Sequence, residues 1–136
     1  MTGGSFSIAC FIDGAESDNH WAHVVGHFLP SEIFTYAGGG RCKPFLNCSS
    51  FLNASELPYP LVLVSPRNAK NHPGVKPLAE FVHPAECCYL FGPDHSALVM
   101  DYDPNHAVFI EYPGDLPMFS WVAAAVTLYD RTVKRG

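Results

Sequence analysis

Tyr89-Leu90-Phe91-Gly92-Pro93-Asp94-His95-Ser96-Ala97-Leu98 joins a short apolar run to a Gly-Pro turn, with an acid and small residues beyond it. A buried strand that stops at such a turn leaves backbone N–H and C=O groups unpaired at its carboxyl end. In open α/β sheets that end is where ligands sit. Gly92 lets a ligand approach the backbone closely, and Pro93 fixes the direction of exit. Many strand ends share the pattern, so its weight comes from what stands on either side.

Upstream, Ser5 to Ile12 alternates and then runs apolar into Asp13-Gly14, a first buried strand and its turn. Ser17-Asp18-Asn19 offers N-cap residues. Trp21, Ala22, Val24, Val25 and Phe28 follow at helical spacing until Pro30. Ile33-Phe34-Thr35-Tyr36 reads as a second strand, closed by Gly38-Gly39-Gly40. One strand-helix-strand unit of this kind favours a parallel sheet. Phe45, Leu46, Phe51 and Leu52 suit a short helix, with Asn53-Ala54-Ser55-Glu56 near its end. Leu61-Val62-Leu63-Val64 is the clearest strand, and its lack of alternation predicts cover on both faces. Val75, Leu78, Phe81 and Val82 suggest one or two helical turns. His83-Pro84 then breaks the chain before strand Cys88–Phe91.

Downstream of Gly92, Ala107-Val108-Phe109-Ile110 is another buried strand after the turn at Asp103-Pro104-Asn105. Trp121 to Val133 is predicted to be a helix, with Val122, Ala125, Val126 and Tyr129 on one face. Basic residues near its end suit the helix dipole. No repeat or linker interrupts the chain, so one α/β domain over residues 1–136 is expected.

Composition narrows the function classes. Of 136 residues 48% are hydrophobic, which excludes a disordered chain. No apolar run reaches the roughly 18–20 residues that span a bilayer, and the first residues lack the basic and apolar regions of a signal peptide. A cytoplasmic protein with no membrane partner is expected. Cys10, Cys42, Cys48, Cys87 and Cys88 are odd in number and form no CxxC pair. Buried, reduced thiols fit better than zinc ligands. The net charge of −5 argues against a strong nucleic-acid binder. The bases are nevertheless clustered: Arg41, Lys43, Arg67, Lys70 and Lys76 in one stretch, Arg131, Lys134 and Arg135 in another. Either they are solvated loops, or the two stretches meet as a local basic patch.

Two motifs now stand in order. One is Leu90-Phe91-Gly92-Pro93-Asp94 with Leu98. The other is Phe109-Ile110, a turn with Gly114, Pro117-Met118-Phe119, and the helix from Val122 through Leu128-Tyr129-Asp130. Together they resemble the second and third motifs of the SPOUT (SpoU-type) RNA methyltransferases, with Asp94 in place of the motif acid. The opening unit resembles that family too, with Asn19 at its loop Asn, and Leu61–Pro66 matches its middle strand.

The resemblance implies a parallel α/β sheet flanked by helices, with its carboxyl-terminal part threaded as a deep trefoil knot. It implies S-adenosylmethionine as methyl donor, a homodimer, and transfer to a ribose 2′-oxygen of tRNA or rRNA. The donor would lie among Val64, Ser65 and Pro66, then Phe91, Gly92, Pro93 and Asp94, then Ile110, Tyr112 and Met118. The departures lie in the chemistry. Where the family carries an Arg after the loop Asn, this chain has Val25 or a neighbour. The third-motif Ser and Asn fall near Pro117 and Phe119, and the second Gly of motif two is Ala97. Asn19, His23 and Arg67 are the candidate catalytic residues, His23 or His20 as base near neutral pH and Arg67 or Arg41 as replacement cation. A catalytically degenerate SPOUT-fold protein, binding cofactor, RNA or a protein partner without methyl transfer, is the alternative.

Single residues keep plainer readings. Asn19 also suits a helix cap, Asp94 a turn, and Trp121 the core or a dimer interface. His20, His23 and His27 have near-helical spacing but lack a further convergent ligand for a metal.

Overall fold

A computed structural model of the chain describes residues 5–10, 23–36, 48–51, 53–58, 60–64, 74–91, 104–114, 118 and 120–135. Seven strands form one sheet: β1 (Ser5–Cys10), β2 (Ile33–Tyr36), β3 (Cys48–Phe51), β4 (Leu61–Val64), β5 (Lys76–Pro77), β6 (Glu86–Phe91) and β7 (His106–Phe109). Their spatial order is β3-β2-β1-β6-β4-β7-β5, and every pairing among them is parallel. The α/β class expected from the strand-helix-strand opening is therefore correct.

Parallel sheets need cover on both faces, and the burial pattern shows it. Ile8, Val62, Val64, Tyr89, Phe91 and Val108 project to one side, where Val25 of a helical segment over residues 23–26 and Ala123, Ala124 and Leu128 of the long helix (Ser120–Arg135) complete the larger core. Ala9, Leu61, Cys88 and Leu90 project to the other side against Leu57. All four residues of β4 are buried, as the non-alternating Leu61–Val64 run predicts. Its first N–H is capped by the Asn105 side chain, Leu61 N donating to Oδ1 at 3.0 Å. The helical segment ends with Phe28 N and Leu29 N donating to the carbonyls of Val25 and Gly26, and Leu29 takes φ 54° before Pro30. That left-handed position is where helices usually place Gly, and an L side chain there is strained.

Three expectations change. Residues 48–51 are a strand rather than part of a helix. Tyr36 and its β2 neighbours offer an unpaired edge, and Ile33↔Cys48 through Tyr36↔Phe51 fill it. Among the described residues after β3, a 3-10 turn, Ala54–Glu56, is closed by Asn53 N donating to the Glu56 carboxylate at 2.7 Å; Phe45, Leu46 and Leu52 lie outside the described residues. The Val75–Val82 stretch holds the two-residue β5 and a 3-10 turn, Leu78–Glu80. Leu78 and Phe81 are buried, but Val82 is 81% exposed, because Pro77 and Pro84 leave no room for a full helical turn. On the long helix Val122, Ala125, Val126 and Tyr129 do share a face, yet it is the outer one. Val126 is 37% and Tyr129 64% exposed, while Ala123, Ala124, Thr127, Leu128 and Arg131 are buried. Two adjacent alanines let the helix approach the sheet closely, and Arg131 finds acceptors on the inside.

Candidate functional site

β6, β4 and β7 are neighbours, and their registers bring Val64 opposite both Phe91 and Val108. Three strands thus end side by side, and the chain leaves each at the same rim of the sheet. β1 joins them, with Cys10 opposite Phe91. Val64, Phe91 and Ile110 sit in one buried cluster, and Tyr112, Met118 and Trp121 pack against it half-buried. Five of the ten residues expected to hold a cofactor therefore form one contiguous apolar wall under this rim. Ser65, Pro66, Gly92, Pro93 and Asp94 lie outside the described residues.

The wall has a definite chemical character. The side chains of Val64, Phe91 and Ile110 are turned into the core, so they form a floor rather than hydrogen-bonding contacts. Specific recognition at such a rim falls to backbone amides and carbonyls beyond the strand ends.

The candidate catalytic residues are less complete. His23 is exposed at the start of the helical segment, and its carbonyl accepts a 2.8 Å hydrogen bond from His27 Nδ1. Asn19, Arg67, His20 and Arg41 lie outside the described residues. Val25, which with its neighbours was read as the position of the family's Arg, is fully buried in the larger core. A guanidinium at that position would have to displace the packing around it, so the site cannot be restored by that one side chain.

Sequence reasoning missed a second polar cluster, at the opposite end of the sheet. His83 Nδ1 lies 2.7 Å from Tyr89 Oη, and Nε2 lies 2.7 Å from Asp130 Oδ2. Arg131 donates to Tyr89 Oη at 2.9 Å and to the carbonyls of Pro84 at 2.8 Å and Ala85 at 2.9 Å. Its guanidinium also lies 4.9 Å from the centre of the Phe6 ring. Lys134 Nζ meets Asp130 Oδ2 at 2.9 Å and donates to the carbonyls of Leu78 and Phe81 at 2.7 and 3.0 Å. Arg135 donates to the carbonyl of His83 at 2.8 Å.

The bonds run in one direction. Arg131 donates to the phenol, the phenol donates to Nδ1, and Nε2–H donates to the carboxylate. Each step is satisfied with His83 neutral. Burial lowers the pKa of His83, opposed in part by its hydrogen bond to Asp130. Burial likewise raises the Tyr89 phenol and the Cys87 and Cys88 thiols, so all three stay protonated at neutral pH. Tyr89 is fully enclosed, and the cluster works as a clamp, not a reaction centre. It also removes Arg131, Lys134 and Arg135 from any basic patch, since they bind main-chain carbonyls of residues 78–85. One signal was legible: Arg131 follows Thr127 and Leu128 at helical spacing on the inward stripe.

Comparison with solved structures places the fold. A probable methylase family protein from Haemophilus influenzae Rd KW20 superposes with a TM-score of 0.75 at 8% identity, over 97% of this chain and 65% of that one. TrmJ from Z. mobilis ZM4 matches with a TM-score of 0.72 at 12% identity, over 93% of this chain and 67% of that one. A structure concerned with 2-OH methylation of C/U34 on tRNA matches with a TM-score of 0.71 at 15% identity, over 96% of this chain and 91% of that one. The chain thus spans about two thirds of the first two proteins. No protein-family model and no curated protein sequence matches it. The fold is that of the SpoU-type RNA methyltransferases. Among the described residues no helix is long and apolar enough to cross a membrane.

Proposed function

We propose that the chain is a single-domain SPOUT RNA methyltransferase, over residues 1–136, that methylates a ribose 2′-oxygen of tRNA or rRNA in the cytoplasm. The observation that carries this reading is the common rim of β4, β6 and β7 above the wall of Val64, Phe91, Ile110, Tyr112 and Met118. S-adenosylmethionine, when bound, supplies an activated methyl group for in-line attack by the ribose hydroxyl. The wall orients the adenine and excludes water; the loop amides around Ser65-Pro66 and Gly92-Pro93-Asp94 hold its polar edge. Asn19, His23 and Arg67 orient the hydroxyl and take its proton. Most of the rate then comes from positioning. The chain between β6 and the long helix is proposed to thread the trefoil knot.

Two copies complete the assembly. Val126, Tyr129 and Val133 form an exposed apolar strip on the long helix, and a second copy is the proposed cover. Sedimentation at micromolar concentration is expected to give a dimer, and Tyr129→Glu a monomer with unchanged far-UV circular dichroism. A wild-type monomer throughout would sink this part.

A degenerate binding protein is the second reading, and the burial of Val25 favours it. One pair of experiments separates the readings. Isothermal titration with S-adenosylmethionine and S-adenosylhomocysteine is expected to show micromolar binding that Gly92→Val abolishes. Transfer of labelled methyl to total tRNA then distinguishes enzyme from binder. No heat from the folded protein would remove the methyltransferase reading and leave the fold as a binder of RNA or a protein partner.

A further inference from the structure

We propose that a cleft between the start of β7 and the approach to β5 binds one backbone phosphate, with its nucleoside, of the same RNA whose ribose lies at the rim. The proposal rests on the RNA reading above. The cleft encloses about 280 Å³ and is lined chiefly by Gly74, Lys76, Phe81, Val82, Asn105 and His106. Among the described residues that line it, Lys76 carries the one fixed charge. A lysine ammonium at the mouth of a cleft favours an anion there.

Register brings Lys76 and His106 together. Lys76 pairs with Val108, and His106 precedes Val108 by two residues, so both side chains leave the same face of the sheet. The Phe81 ring meets His106 edge-on at 5.8 Å and His83 at 5.0 Å, which fixes it as the floor. Exposed Val82 supplies an apolar wall. Gly74 takes φ +78°, and a Cβ there would meet nothing, so its backbone is open to a ligand. The Asn105 carbonyl oxygen is committed to Leu61 N–H, which leaves the amide NH₂ as its donor end. Donors, a cation and apolar walls match a phosphate that carries a sugar and base.

Distance favours RNA over a free nucleotide. From His106 to Ile110 the chain climbs ~13 Å along and just past β7, roughly four stacked nucleotides of one strand. One RNA therefore reaches both the cleft and the rim.

Two probes test this. In the first, binding of total tRNA is measured across a salt series with wild type, Lys76→Glu and His106→Gln. Lys76→Glu is expected to weaken binding about tenfold at low salt and to flatten the log–log salt slope by about 0.7–0.9, the loss of one phosphate contact. S-adenosylhomocysteine affinity should not change. Unchanged tRNA affinity and slope overturn the proposal while leaving the methyltransferase reading intact. In the second, cytidine 5′-monophosphate is titrated against the amide spectrum of the ¹⁵N-labelled protein. Shifts at Gly74, Lys76 and His106, abolished by Lys76→Glu, are expected in the millimolar range. No shift there overturns the subsite even if tRNA binds. Shifts without any tRNA binding overturn RNA as the occupant and also remove the RNA reading.

Discussion

Replacing Arg131 by Ala is expected to lower the free energy of unfolding by about 3–5 kcal/mol. The guanidinium is only 4% exposed. It is the donor to the Pro84 and Ala85 carbonyls and to the Tyr89 hydroxyl, and it covers the Phe6 ring. Truncation leaves two carbonyls to be satisfied some other way, each at about 1–3 kcal/mol, and opens a cavity. Lys at this position places one ammonium where a planar fork spans three acceptors, so Arg131→Lys should recover only a minor part. Urea unfolding measures both. A loss under ~1 kcal/mol for Arg131→Ala would show that the cluster is dispensable and that the apolar stripe alone docks the helix.

The second large effect is on acid stability. His83 has its folded pKa lowered below 6.5, first by burial, against the raising effect of Asp130. The unfolded state therefore binds the proton more readily. The stabilisation is complete above the unfolded pKa and is lost as pH falls through the folded one. Every group facing the ring works in the same sense except one. Arg131 and Lys134 repel an imidazolium, the Tyr89 hydroxyl already donates to Nδ1, and Asp130 alone favours the charge. Wild-type stability should fall as the pH drops below 6.5, before ordinary carboxylates titrate. His83→Gln should be less stable throughout but nearly flat across that window. Parallel pH profiles for the two proteins would refute the role given to His83.

How much was legible in the sequence depended on whether local pattern or distant contact decided the outcome. Ile33–Tyr36 and Leu61–Val64 were read with the right ends, because short β-rich runs bounded by turn residues leave little choice. Cys48–Phe51 was not, since its weak β-formers become a strand only because β2 presents an edge to fill. The long helix was clear from its periodicity, but the buried side was not. Val122, Val126 and Tyr129 carry the larger apolar groups, whereas close packing selects Ala123 and Ala124 and tolerates Arg131 once its donors are matched. Val64, Phe91 and Ile110 were singled out by the resemblance to the SpoU-type motifs, and the structure buries all three side chains in the larger core. The His83 clamp was invisible, since its members lie 47 residues apart in the chain and meet only in three dimensions.

The place of β6 in the sheet has a kinetic consequence. It is the one strand that touches both halves, pairing with β1 on one side and β4 on the other. β1, β2 and β3 are complete within the first half of the chain, yet they remain an apolar slab with an open edge until residues 86–91 arrive. Closure of a loop from Ser5 to Glu86 must precede the contacts that reward it, which slows folding. The nascent chain on the ribosome therefore carries that slab uncapped through much of its synthesis. The arrival of β6 is the step that commits both halves to one sheet, and the interval before it is when chaperone binding and aggregation compete with folding.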